Sequence, residues 1–260
     1  MLLGVDHLVI AVNDPDAAAA TMEADLGIAV TGGGRHERGG TFNRLAFLGD
    51  AYLELIGVFN RTMVEPTDTF AVGQAALALL DAGTEGLATY ALASDDVAAE
   101  VGRLRDVGSP IGAAVSGSRV RPDGEVVRWI TAFPPLGPEE CPFLIEHELV
   151  GAEWGTEARE ARAEFRHPAG GTVRLTGVTI PVADPDRVAA RYRAVLGLTF
   201  GSDGRAVVHG QTLALAPMDR VRLPIVDLAG EAGSAPLDTI RFGVRWRRQP
   251  GIHGQASRPA

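Results

Sequence analysis

The sequence predicts an α+β fold of repeated βαβββ modules, and three observations lead there. A β-branched apolar run ending in Asp-Pro occurs twice, as His7–Val12 before Asn13-Asp14-Pro15 and as Val178–Val182 before Ala183-Asp184-Pro185. Both copies close on Leu-Gly, at Leu26-Gly27 and Leu196-Gly197, with the same separation from the Asp. A fainter copy, Ala88 to Asp96, closes on Val107-Gly108 with that separation counted from Asp95. Repetition at fixed spacing sets architecture before any single motif does.

Each element has a local cause. The apolar runs read as strands, and the Asp that ends each one accepts bonds from the free N–H groups of a following helix. Pro15 and Pro185 then fall in the first helical turn, where a missing N–H costs nothing. Val97, Val101, Leu104 and Val107 give the middle helix one apolar face. Gly27, Gly108 and Gly197 suit the left-handed residue that stops a helix. Strand character follows in Thr41–Leu48 and Tyr52–Val58 around a Gly49-Asp50 turn, in Gly124–Phe133 and Phe143–Leu149, and in Arg205–Val208 and Thr212–Ala216. Residues 70–82 read as a helix joining the first two copies. Residues 153–166 read as a charged, Ala-rich linker, within a connection at 151–170, and 249–260 as a frayed tail. The expected division is 1–150 for two paired modules and 171–248 for a third, with a boundary near residue 165.

Composition narrows the function. A chain of 260 residues, 46% hydrophobic, buries a sizeable core without disulfides. Its net charge of −9 and lack of a dense basic run argue against nucleic acid and anionic membranes as partners. All 24 basic residues are Arg, so Schiff-base lysines and the P-loop lysine are excluded. One cysteine, Cys141, no leader-like start and no long apolar run lead to the expectation of a cytoplasmic protein.

The Asp6-His7 start, Gly34-Arg35-His36, Gly40-Thr41-Phe42-Asn43, the run from Leu48 to Ile56 and Ser118 to Gly124 together resemble the glyoxalase-like branch of the vicinal oxygen chelate superfamily. The resemblance covers about residues 1–150. It implies paired modules whose curved mixed sheet encloses a cavity, a small-molecule ligand, and one divalent metal held from the first and last strand of each module. It also implies a range of activities: lyases, isomerases, dioxygenases, epimerases and drug-sequestering proteins.

On that resemblance His7 and Glu54 are expected metal ligands. His7 opens the first strand, and Glu54 sits in the apolar strand Tyr52–Ile56, where an inward carboxylate needs compensation. Counting back from Asp95 puts Ala88 at the position of His7, so one ligand is missing. Glu146 is expected as the third, with a catalytic role as well, because it superposes on Glu54 when the terminal strands are aligned; His147 is the competing choice, since neighbours on a strand face opposite ways. The metal (Fe, Mn, Zn or Ni) stays open, as does its presence. His36, in a glycine-rich loop, is the expected acid/base residue. Asn43, Arg119, Arg121 and Tyr90 are expected substrate contacts, although alternating Arg119 and Arg121 also suit an exposed edge strand. The third copy carries Gly177 and Ala214 at the ligand positions, so it is expected to pack, with residues 237–246 as a covering strand, and to need a partner. A homodimer is one way to meet that need. The activity expected is that of a metal-dependent lyase, isomerase or oxygenase; the alternative is a metal-free binding or sequestering protein.

Overall fold

A computed structural model describes residues 1–37, 39–64, 71–137 and 141–250 of the chain. The first module is β1 (Leu2–Ala11), α1 (Pro15–Thr21) running into a π-helical turn (Met22–Leu26), β2 (Gly32–His36), β3 (Thr41–Leu48) and β4 (Ala51–Val58). Helix α2 (Val72–Asp81) leads to the second module: β5 (Gly86–Ser94), α3 (Val97–Asp106), β6 (Val115–Val120), β7 (Val126–Ala132) and β8 (Phe143–His147). β1 runs parallel to β4 and antiparallel to β5, while Arg35 on β2 pairs with Val120 on β6. Two curved half-sheets thereby close into one barrel, in the order β1-β4-β3-β2-β6-β7-β8-β5.

The expected caps appear, with one change of register. Asp14 accepts from Asp16 N and Ala17 N with Pro15 at the first turn, Asp184 accepts from Arg187 N, and Gly27 and Gly197 are left-handed at φ of 67° and 68°. In the middle copy Asp96, not Asp95, caps α3 by accepting from Ala99 N. Gly32–His36, read as a glycine-rich loop, is instead strand β2. Gly33 sits at φ 137°, and a Cβ there would stand 2.3 Å from Asn43 O, so only glycine lets β2 lie this close to β3. The 70–82 helix begins at Val72; residue 70, like 251–260 of the expected tail, lies outside the described residues, and Gln249 belongs to the last strand.

The linker folds as α4 (Gly151–Trp154) and α5 (Thr156–Ala163). Beyond it come β9 (Val173–Val182), α6 (Pro185–Leu196), β10 (Arg205–Val208), β11 (Gln211–Pro217), β12 (Ile225–Gly230), β13 (Leu237–Arg241) and β14 (Val244–Gln249). They form an open sheet in the order β10-β11-β9-β12-β14-β13. β12 is antiparallel to β9, as β5 is to β1, and β14 is parallel to β12. The last three strands are thus a fourth, helix-less copy, and the third module finds its partner within the chain.

Among the described residues the apolar core runs on both sides of residue 165. One apolar cluster holds Leu8, Leu53, Leu92 and Leu144 from the barrel's outer face together with Val178, Tyr192, Leu196 and Trp246. Polar contacts cross the same seam: Tyr90 Oη lies 2.7 Å from Tyr192 Oη, and Ser109 Oγ donates to Val195 O at 2.6 Å. Strands β1 and β4 are buried along almost their whole length, one face on this core and the other on the barrel interior, and so read as near-continuous apolar runs. No helix among the described residues is long and apolar enough to cross a membrane.

Candidate active site in the barrel

The barrel interior holds a cavity of about 540 Å³. Strand alternation chooses its lining: Thr41, Asn43 and Leu45 from β3, Tyr52, Glu54 and Ile56 from β4, Val127, Trp129 and Thr131 from β7, and Phe143, Ile145 and His147 from β8. A Cβ on Gly117 would stand 2.2 Å from Trp129 Nε1, so this glycine makes room for the indole.

His7 and Glu54 meet on the wall, with Nε2 3.5 Å from Oε2, and both are buried. His7 stacks on Tyr52, ring centroids 4.5 Å apart, and meets Phe143 edge-on. Its orientation comes from Asp6. Between Val5 and His7 the partner strand advances by a single residue, from Leu92 to Ala91, which makes Asp6 the extra residue of a β-bulge. The bulge brings neighbouring side chains into one network. His7 Nδ1 donates to Asp6 Oδ1 at 2.6 Å, and His147 Nε2 donates to the same oxygen at 3.1 Å. Burial pushes the Asp6 carboxyl up, but the two imidazoles, His147 foremost, outweigh it and hold the group well below the ordinary carboxylate value. With Nδ1 engaged by Asp6, His7 points Nε2 at Glu54 and the cavity. Asn43 Nδ2 donates to Glu54 Oε1 at 2.6 Å, and Gly34 N donates to Asn43 Oδ1 at 2.8 Å.

The other expected residues divide. His36 lines the cavity with Nδ1 2.8 Å from Thr41 Oγ1; burial, helped by Arg119 and opposed by Glu54, lowers its pKa, so it is neutral at pH 7. Arg119 is buried in the wall, donating to Gly33 O at 3.1 Å and pairing with Glu153. Arg121 does not line the cavity; it pairs with Asp123 at 2.8 Å and reaches the Glu153 carboxylate at 3.4 Å. Tyr90 lies on the outer face of β5, against Tyr192 in the shared core, away from the cavity. Glu146 also faces out: its Oε2 accepts from Val97 N at 2.9 Å, at the start of α3, while His147 beside it turns in. Three contributors escaped the sequence reading. Asp6 needs the bulge, while Glu153 and Trp154 sit on α4, in what reads as a linker. Trp154 stacks on His147 with centroids 3.6 Å apart and an interplanar angle of 9°.

The glyoxalase-like domain family matches residues 5–196. The chain belongs to that family. No curated protein matches it. A hypothetical protein from Staphylococcus aureus has the same fold, with TM-score 0.75 over 95% of this chain and 98% of its own at 14% identity. Methylmalonyl-CoA epimerases from Mycobacterium tuberculosis and Streptomyces coelicolor match at 19% and 22% identity, over 58% and 56% of this chain and 90% and 94% of theirs; each TM-score is 0.41, too low to argue from.

The donor set of this glyoxalase-like protein does not fit the four-ligand metal centre that the resemblance implies. The 3.5 Å between His7 Nε2 and Glu54 Oε2 is close to the roughly 3.4 Å that two tetrahedral ligands with bonds of about 2.1 Å would show. Yet no three His, Cys, Asp or Glu side chains among the described residues are arranged so that they could hold a metal ion together. Because Asp96 is the cap that corresponds to Asp14, the counterpart of His7 is Thr89 rather than Ala88. Glu54 lies beside Val9, and the residue beside Ala91, the counterpart of Val9, is Phe143. The second module therefore sets a hydroxyl and a phenyl ring where the first sets an imidazole and a carboxylate.

Proposed function

We propose that this glyoxalase-like protein is a proton-transfer enzyme of the lyase or isomerase kind, acting on a small oxygenated molecule with an apolar body. His7 Nε2 takes the proton, with Glu54 beside it as the second acid/base group. The observation that carries this reading is the Asp6-fixed imidazole, whose free nitrogen faces a buried carboxyl group at 3.5 Å.

The chemistry follows from the surroundings. When a proton leaves a carbon next to a substrate carbonyl, His7 becomes an imidazolium flanked by the Asp6 carboxylate and the Glu54 carboxyl group, and burial strengthens that attraction. Asn43 holds one Glu54 oxygen, leaving the other toward His7. Tyr52 keeps its phenol proton, since burial first, and then the charges of Asp6 and Glu54, raise its pKa well above the ordinary value. The abstracted proton exchanges with solvent, and a proton given back to the planar enolate, on either face or at a neighbouring atom, completes an epimerisation or isomerisation with no net redox change.

The test is proton exchange. A panel of small 2-oxo and 2-hydroxy carbonyl compounds, incubated with the protein in D2O and followed by NMR, is expected to contain members whose carbon-bound hydrogen is replaced. His7→Gln is expected to slow that replacement by at least 100-fold while leaving the fold intact. Exchange at the same rate in the variant sinks the reading. The aromatic lining of Tyr52, Trp129, Phe133, Phe143 and Trp154 favours a second one, a metal-free binding protein for flat molecules. That reading expects tight binding with no exchange anywhere in the panel.

A further inference from the structure

The cavity wall holds two buried nitrogens that the acid–base pair leaves unused. Among the described residues, His147 Nδ1 and Trp154 Nε1 have no hydrogen-bond partner. The His147 side chain is 7% exposed and Trp154 6%. Leaving a buried polar atom unpaired costs about 1–3 kcal/mol, and folded proteins pair nearly all of them. Two such atoms, on rings whose centroids are 3.6 Å apart and in residues that both line the cavity, point to a group that arrives with the ligand as the rings shift to admit it.

The two nitrogens differ in what they need. An indole N–H only donates. The His147 imidazole donates from Nε2 to Asp6, and in the tautomer that leaves Nδ1 without a hydrogen this second nitrogen accepts. A hydroxyl group satisfies both at once, its oxygen accepting from Trp154 and its hydrogen donated to His147. A carbonyl or ether oxygen serves only the indole, and an ammonium only the imidazole. The rings are held ready for such a guest. Trp154 packs edge-on against Phe47 and Tyr52, the Arg162 guanidinium lies 4.6 Å from its ring centroid, and neighbouring Glu153 pairs with Arg119.

We infer that His147 and Trp154 form a subsite for a substrate hydroxyl, so that the molecule bound here is a hydroxylated compound whose apolar body lies along Trp129, Phe143 and Ile145. The inference takes from the proposed function only that this cavity is the substrate site, and it adds the class of substrate. Asp6 joins the subsite to the acid–base pair, since both His147 and His7 donate to its Oδ1.

Binding of 2-naphthol, 2-methoxynaphthalene and naphthalene, measured by equilibrium dialysis against the whole protein, tests it. The wild type is expected to hold 2-naphthol at least ten-fold tighter than its methyl ether. Trp154→Phe, which keeps the stack and removes the donor, is expected to shrink that ratio to about three-fold or less while naphthalene binding stays within two-fold. His147→Phe is expected to shrink the ratio in the same way and serves if the first variant folds poorly. Equal binding of naphthol and ether by the wild type overturns the subsite, as does a ratio that both variants preserve. A hydroxyl preference without proton exchange retires the enzyme and keeps the subsite; exchange without the preference does the reverse.

Discussion

The barrel and the C-terminal sheet are the same idea executed twice, and they differ where it matters for chemistry. Both use an Asp-capped, Pro-started helix closed by a left-handed glycine, and both pair their first strands antiparallel. In the barrel the positions facing inward hold His7 and Glu54; in the sheet the same positions hold Gly177 and Ala214. Thr176 stands where Asp6 stands, uncharged, with its hydroxyl donated to Asp227 O at 3.0 Å. The open face keeps a surface ion pair, Arg247 with Asp227 at 2.7 Å, in place of a buried network. Caps and core were retained because folding needs them. The His7–Glu54 pair sits inside the closed barrel, where a ligand has room to meet it.

The largest expected effect tests whether the two halves are one body. Trp246 is fully buried in the shared core, and Trp246→Ala is expected to cost about 4 kcal/mol. Because barrel and sheet share that core, denaturation followed by fluorescence and circular dichroism is expected to show one earlier transition for the whole chain. A barrel that still unfolds at the wild-type midpoint, after the sheet has melted, would show the halves to be independent. Next comes the contrast in chemistry. Glu54→Gln is expected to reduce proton exchange about 100-fold, equivalent to about 2.7 kcal/mol of barrier, whereas Asp227→Asn on the sheet leaves the rate unchanged. A comparable loss at Asp227 would place the reaction outside the barrel. Treatment with EDTA is expected to leave exchange intact, and activity restored only by an added divalent ion would restore the metal reading.

A smaller effect separates the halves by pH. The folded-state pKa of Asp6 is depressed, so its stabilising contribution is present above the ordinary carboxylate range and lost as pH falls through the folded value. The gap in unfolding free energy between wild type and Asp6→Asn is therefore expected to be widest near neutrality and to narrow steadily in acid. Urea titrations at a series of pH values check this, and a gap that grows on acidification would reverse the sign. Thr176→Val, at the uncharged counterpart, is expected to show no such slope.

What could be read from the sequence follows the range of the forces involved. Caps depend on residues three or four apart, so Asp14, Pro15 and Gly27 were legible, as were their counterparts around α6. A polar residue in an apolar strand is also a local anomaly, which is why Glu54 stood out, while His7 stood out by its place in the family pattern and Asn43 by the glycines before it; the structure brings the three together. The phase of β8 was not legible, because it is set by pairing with β5 across a long connection; a different register would have turned Glu146 in and His147 out. Asp6 needed a bulge that exists only in the context of its partner strand. Trp154 gave no local sign, since nothing in a charged helical stretch says that its one indole closes a barrel some distance away. β2 hid for the opposite reason: glycine is a poor strand former on its own, and Gly33 is in the sheet for the close approach it permits.

The smallest effect settles the register on which the metal argument turns. If Asp96 caps α3, then Thr89 and Phe143 stand opposite His7 and Glu54, and the second module has no ligands to give; if Asp95 did so, the count would move to Ala88. Asp96 accepts from Ala99 N at 2.8 Å, and removing such a cap costs about 1 kcal/mol. Asp96→Ala is therefore expected to lower the thermal midpoint by a few degrees, and Asp96→Asn, which can still accept the bond, to recover most of that loss. Asp95→Ala is expected to leave the midpoint where it was. The reverse pattern would shift the second module by one residue, turn its strand faces over, and reopen the search for ligands among the side chains now placed on the outside.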